Sequence, residues 1–281
     1  MSPADYRRIL VALDASRESQ AALEAAANLA ARLEAELLGL FVEDVDLLNL
    51  AALPFSREMP LLSRTSRILQ PEQIERDLKS RAAMARRALA EAAAAFHIDW
   101  SFRIARGRVE TELLAAARGA DLVAMGKGTK PLSGHVYLGS AGRAVAARSV
   151  RSVLFATVTS GPADAAVAAV YSEVGRSDEA LALAARLARH DGKPLVVFVR
   201  GSSPSALTRL EAGAFEQLQS MGISGSVRRV NGIGLAALLR AVQTASISLL
   251  VVGANAPPSD TDLALDTLVE QSTCSILLVR G

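Results

Sequence analysis

Short apolar runs alternate along this chain with longer segments whose apolar residues recur every three or four positions. Ile9-Leu10-Val11-Ala12-Leu13 reads as a strand, and Asp14 to Glu18 as a polar turn. Ala22, Leu23, Ala26, Leu29, Ala30 and Leu33 then form one helical stripe. Glu36 to Val42 is a second strand. Pro71 opens a long helix whose stripe is Ile74, Leu78, Ala82, Ala85, Leu89, Ala92 and Phe96. Trp100, Phe102 and Ile104 alternate with polar residues, the pattern of a half-buried strand. Gly107 turns the chain into a helix from about Val109 to Arg118. Asp121 to Met125 is a fourth strand, Gly126 to Leu138 a loop, Gly139 to Arg148 a helix and Ser152 to Thr157 a fifth strand. Between Glu43 and Gln70 the period is lost although Leu47 to Phe55 is apolar. An excursion of this length is expected to cover a site, to form a dimer contact or to be partly disordered.

The same order of elements returns later in the chain. Strands are expected at Val167–Tyr171, Pro194–Val199, Ser226–Val230, Ser248–Gly253 and Ser275–Val279. Between them lie a helix capped by Ser177 and helices over Leu207–Leu218 and Gly234–Thr244. The stretch Thr159-Ser160-Gly161-Pro162-Ala163 is small and turn-rich, as a linker should be. The expected domains are therefore residues 1–158 and 164–281, the second shorter because it lacks the excursion. Regular alternation of strand and helix with right-handed crossovers predicts an α/β fold of two tandem, doubly wound, Rossmann-like parallel sheets. Each would have five strands in the order 3-2-1-4-5.

Composition narrows the function classes. Of 281 residues 51% are hydrophobic and 21% charged, enough apolar material for two cores. A net charge of +2 does not suggest nucleic-acid binding, and Arg86-Arg87 and Arg228-Arg229 read as solvated faces. The single cysteine, Cys274, allows no internal disulfide and sits in a core-strand context. Met1 to Arg8 is polar, and no run of about 18 apolar residues occurs. These features point to a cytoplasmic protein without a membrane partner.

In a sheet of order 3-2-1-4-5, ligands bind beyond the carboxyl ends of strands one and four. Asp14 and Gly126 leave those strands. Gly126-Lys127-Gly128-Thr129-Lys130 can turn sharply and present backbone N–H groups to an anion, with lysines adding charge. Gly139-Ser140 opens a helix, whose N-terminus suits phosphate. Taken singly, Asp14 is a turn residue or cap, the glycines are turn glycines and the lysines are solvated. Their convergence on one crevice favours a nucleotide. The chain has no G-x-S-x-G elbow, no phosphate loop of the G-x4-G-K type and no paired metal-binding histidines, since His97, His135 and His190 are scattered. It is therefore expected not to be an enzyme, with weak ATP hydrolysis as the upper limit.

Ile9 to Ser16 resembles the opening strand and turn of universal stress proteins. The ATP-binding branch of that family carries G-x2-G-x9-G-[S/T]. Here Gly126, Gly139 and Ser140 hold that spacing, Thr129 stands at the second glycine and Gly128 precedes it by one position. The resemblance spans both copies and implies a fold like the adenine-nucleotide alpha hydrolases. It implies ATP or AMP, with magnesium as an optional companion, in a stress-response or signalling protein. By the same resemblance, Asp14 and the backbone of Val42 would hold the adenine. Gly107 would lie near the sugar and phosphates, and Gly126, Gly139 and Ser140 would bind ribose and phosphate. Fifth strands at Val153-Leu154-Phe155 and Ile276-Leu277-Leu278 would pair, within the chain or in a homodimer, and a protein partner of unknown kind is implied. The alternative is an interaction or dimerisation module of the same fold that binds no nucleotide. The second copy has Ser172 opposite Asp14, Gly253 followed by Ala254 to Pro258, and Asp262-Leu263 near the place of Gly139-Ser140, and is expected to bind none.

Overall fold

The computed structural model describes residues 6–53, 57–58, 67–68, 71–129, 136–158, 162, 164–173, 175–230, 234–255 and 265–280. The first half runs β1 (Arg8–Leu13), α1 (Arg17–Leu33), β2 (Glu36–Asp44), α2 (Val45–Ala52), β3 (Arg57–Glu58), β4 (Arg67–Ile68), α3 (Pro71–Phe96), β5 (Trp100–Gly107), α4 (Val109–Ala117), β6 (Leu122–Gly126), β7 (Gly128–Thr129), β8 (Val136–Tyr137), α5 (Ser140–Arg148) and β9 (Ser152–Ala156). The second half runs β10 (Ala166–Ser172), α6 (Ser177–Asp191), β11 (Leu195–Arg200), α7 (Pro204–Ser220), β12 (Ser226–Arg229), α8 (Leu235–Thr244), β13 (Ile247–Gly253), α9 (Leu265–Gln271) and β14 (Ser275–Val279).

The long strands form a single ten-stranded sheet in the order β12-β11-β10-β13-β14-β9-β6-β1-β2-β5. Each half contributes five parallel strands in the order 3-2-1-4-5, and the halves meet where β9 and β14 pair antiparallel. At that seam Val153, Leu154 and Phe155 lie opposite Leu278, Leu277 and Ile276. All six side chains are buried, each contributing about 1.5–3 kcal/mol by leaving water. The two ends of the seam are closed symmetrically by serines. The Arg280 N–H donates to Ser152 Oγ at 3.0 Å and the Thr157 N–H to Ser275 Oγ at 3.3 Å.

Strand alternation sorts the core into two layers. Ile9, Val11 and Leu13 face α1 and α3, in a layer that continues through Val167 and Val197 to α6 and α7. Leu10, Val123 and Phe155 face the opposite layer, with residues of α4, α5, α8 and α9. Helix starts follow local chemistry: Ser16 accepts the Ser19 N–H at 3.1 Å to cap α1, and Ser203 with Pro204 opens α7.

Some expectations change. The excursion contains a helix, α2, started by Asp44 accepting the Asp46 N–H at 3.0 Å, with Leu47 and Leu48 packed on the core. The apolar face of β5 is only partly covered: Trp100 and Ile104 are exposed, because β5 is the edge strand and lacks a neighbour beyond it. Ser177 is the first helical residue of α6 rather than its cap, and its hydroxyl bonds to both backbone groups of Ser172. Among the described residues no helix is long and apolar enough to cross a membrane.

Candidate functional site

A cavity of about 530 Å³ opens at the carboxyl ends of β1, β2 and β6, facing the first turn of α5. Asp14, Val42, Gly126, Gly128 and Gly139 line it. Leu40, Val109, Leu113 and Met125 give it apolar walls on the β2 and β6 sides. Its location is the reversal of strand order between β1 and β6, where such sheets bind ligands.

Asp14 is exposed at the end of β1. Its Oδ1 accepts the Ser16 N–H at 2.9 Å, and between them Ala15 is held at φ 63°, a left-handed conformation that costs a residue with a Cβ about 1–2 kcal/mol. The turn is tied to α1 by the Asp14 N–H, which donates to Ser19 Oγ at 3.4 Å. On β2, pairing with β1 ends at Phe41, so Val42 runs past the end of β1 with β5 still beside it. Val42 lines the cavity at that overhang.

Gly126 and Gly139 prove to be glycines for different reasons. A Cβ on Gly126 would lie 2.2 Å from the Glu18 carbonyl oxygen, so this glycine lets β6 pass beneath the first turn of α1. A Cβ on Gly139 would meet no described residue within 4 Å. Gly139 is the N-cap of α5 and makes no side-chain cap. The N–H groups of the first turn therefore have no intrahelical acceptor, and Ala141 and Gly142 of that turn border the cavity. Ser140 is the exposed first helical residue, next to the lining rather than in it.

Two residues singled out by the sequence stand elsewhere. Gly107 ends β5 opposite Asp44, outside the cavity lining, where a Cβ would crowd the Glu112 side chain at 2.6 Å. Lys127, expected to be solvated or to face phosphate, is 1% exposed and points away from the cavity into the seam between the halves. Its Nζ donates to the carbonyls of Ser272 at 3.2 Å and Cys274 at 2.6 Å, and burial lowers its pKa to about 8. Thr129 lies in β7, its backbone paired with Val136. Lys130, His135, Pro257, Pro258 and Asp262 lie outside the described residues.

The sequence reading missed a cation near the helix start. Arg143, in the first turn of α5, donates from Nε to the Leu138 carbonyl at 2.9 Å and so keeps a guanidinium beside Gly139. An i, i+3 relation to Ser140 was the available signal. It also missed Ser16 and Ser19, which line the cavity and shape the Asp14 turn.

Known structures share this architecture from end to end. A universal stress protein from Archaeoglobus fulgidus DSM 4304 matches with a TM-score of 0.73 at 16% identity, over 99% of this chain and 99% of that one. A functionally unknown protein from Pseudomonas aeruginosa PAO1 matches at 0.62 and 15%, over 100% and 95%. The cytoplasmic domain of a prokaryotic cation chloride cotransporter matches at 0.54 and 12%, over 97% and 95%. Likeness at these identities is likeness of fold, which unrelated functions share. No curated protein matches by sequence. The first half carries a stronger signal: from the strand before Asp14 to the end of β9, residues 5–157 match the sequence model of one family, and by that match the chain belongs to the universal stress protein family.

Proposed function

We propose that the chain binds one adenine nucleotide, ATP or AMP, in the cavity of its first half, and acts as a stress-response or signalling module rather than as an enzyme. The observation that carries the reading is the cavity itself. At about 530 Å³ it lies within the usual range of small-molecule sites, roughly 300–1,000 Å³. It combines an apolar slot beside Val42, a carboxylate at Asp14 and an uncapped helix N-terminus at Gly139. An adenine ring fits the slot, Asp14 accepts from an amino or hydroxyl group, and the phosphates meet the first-turn N–H groups of α5 with the Arg143 guanidinium nearby. Magnesium would accompany the phosphates.

The competing reading is an interaction module working through its fifth strands. The pairing of β9 with β14 already occupies those edges within one chain, which favours the nucleotide reading. Calorimetric titration of ATP and of AMP into the full chain, with acid extraction of any nucleotide that copurifies, tests the proposal. One site per chain is expected; no binding of either nucleotide would return the interaction module to first place.

A further inference from the structure

The elements that would hold phosphate are fastened to a single segment of the second half. Leu138, buried immediately before the Gly139 cap, donates its N–H to Glu270 Oε1 of α9 at 3.0 Å. Lys127, immediately after Gly126, reaches the carbonyls of Ser272 and Cys274 in the α9–β14 turn. Arg280, after β14 and 4% exposed, donates to the Ser149 carbonyl at 2.7 Å and to the Ala146 carbonyl, both at the C-terminal end of α5. The loop between β6 and α5 is thus tied at its start and its finish, and α5 is tied at its far end as well.

We propose that the α9–β14 segment positions the nucleotide-binding loop and helix of the first half, with Lys127, Glu270 and Arg280 as positioning residues, so that nucleotide binding and order in that segment are coupled. This rests on the nucleotide reading above. Lys127 and Leu138 bracket the connection into α5, so the direction of the α5 N–H groups is set by what holds these two residues. Glu270 places the last loop residue before the cap. Arg280 satisfies carbonyls at the negative end of the α5 dipole and leaves the positive end for a ligand.

Among the described residues the long-reach contacts of Lys127 and Arg280 have no counterpart at the equivalent positions, unlike the paired serine contacts at the ends of the seam. The backbone matches Lys127 with Ala254, since the N–H groups of these residues donate to Ala156 and Val279 respectively, and it therefore matches Arg280 with Thr157. Ala254 and Thr157 are too short to make the reciprocal long reach. The cross-half contacts of these long cations attach to the start of the β6–α5 connection and to the far end of α5, both in the first half.

Hydrogen exchange of the full chain, with and without ATP, tests this in wild type, Glu270→Ala and Glu270→Gln, together with calorimetric ATP affinity. In wild type, ATP is expected to slow exchange at residues 138–142 and, because coupling is reciprocal, also at residues 265–280. Glu270→Ala should speed exchange at Leu138 without ligand and weaken ATP roughly fivefold or more. Glu270→Gln should restore both, because its amide oxygen can accept the same N–H. Protection by ATP that stays within the first half overturns the coupling even if Glu270→Ala proves too unstable to assay. So does unchanged affinity in a folded Glu270→Ala. An absence of any ATP-dependent protection overturns the nucleotide reading and this inference with it.

Discussion

Gly126 ends β6 against the Glu18 carbonyl, and Gly253 ends β13 against the backbone of Arg176, each with no room for a Cβ. Ser19 and Ser177 likewise each accept the N–H that leaves the first strand of their half, from Asp14 and from Ser172. The two crevices thus share one scaffold. They differ in what the scaffold presents: a carboxylate at Asp14 against a hydroxyl at Ser172, and Glu18 against Arg176, which pairs with Glu179 at 2.9 Å. The glycine that survives in the second half survives because the first helix turn needs its space. A glycine at the end of the fourth strand is therefore no mark of a working site, whereas the residue leaving the first strand is free to change.

The largest expected effect would test the shared scaffold. Gly126→Ala and Gly253→Ala each force a Cβ to within 2.2 Å and 2.5 Å of backbone, which should cost about 3 kcal/mol or more in either half. Denaturant unfolding measures it, and a neutral Gly253→Ala would break the equivalence of the crevices.

Next comes the buried cation that belongs to one half only. The pKa of Lys127 falls from 10.5 unfolded to about 8 folded. Between those values the unfolded chain binds more protons, so this group makes stability rise with pH from about 8 to about 10.5, by roughly 3 kcal/mol. Below that window both states are charged and the cost of burial is constant. Burial raises the Cys274 thiol in the same region, with the opposite slope, so wild type must be compared with Lys127→Met. The difference between the two stability curves should carry the rise; parallel curves would show that Lys127 does not titrate in its buried place.

Ligand contacts come last in size and sharpen the chemical difference. Gly139→Val meets no described residue within 4 Å, so it should cost no more than the roughly 1 kcal/mol of a poorer N-cap while crowding the phosphate position. Asp14→Ala removes one charge-assisted contact, about 1.5–3 kcal/mol, and should weaken adenine nucleotide roughly tenfold or more. Ser172→Asp should create no second site, because a carboxylate alone supplies nothing for phosphate. Calorimetry on the three variants decides, and two sites in Ser172→Asp would show that the crevices differ by that residue alone.

The helix faces and the five-plus-five repeat were legible in the sequence because each rests on local periodicity, and the strand order followed from the topological rules for alternating strands and helices. The stripe from Ala22 to Leu33 needs no knowledge of its partner to declare a buried face, and the seam residues Val153-Leu154-Phe155 and Ile276-Leu277-Leu278 stand out as apolar runs. The position of Asp14 followed from topology alone. The direction of Lys127 did not. Its neighbours in sequence are glycines of a loop at the crevice, and by that company it reads as solvated or as added charge beside a phosphate. Only the docking of β14 against β9 puts the carbonyls of Ser272 and Cys274 within reach on the other side. Gly107 and Gly139 divide in the same way, for both are loop glycines by sequence. The packing of Glu112 explains the first, and the second borders the cavity with no described residue within 4 Å of where its Cβ would lie. Periodicity is a property of neighbours along the chain, whereas the side to which a loop side chain turns depends on surfaces that come together from distant residues.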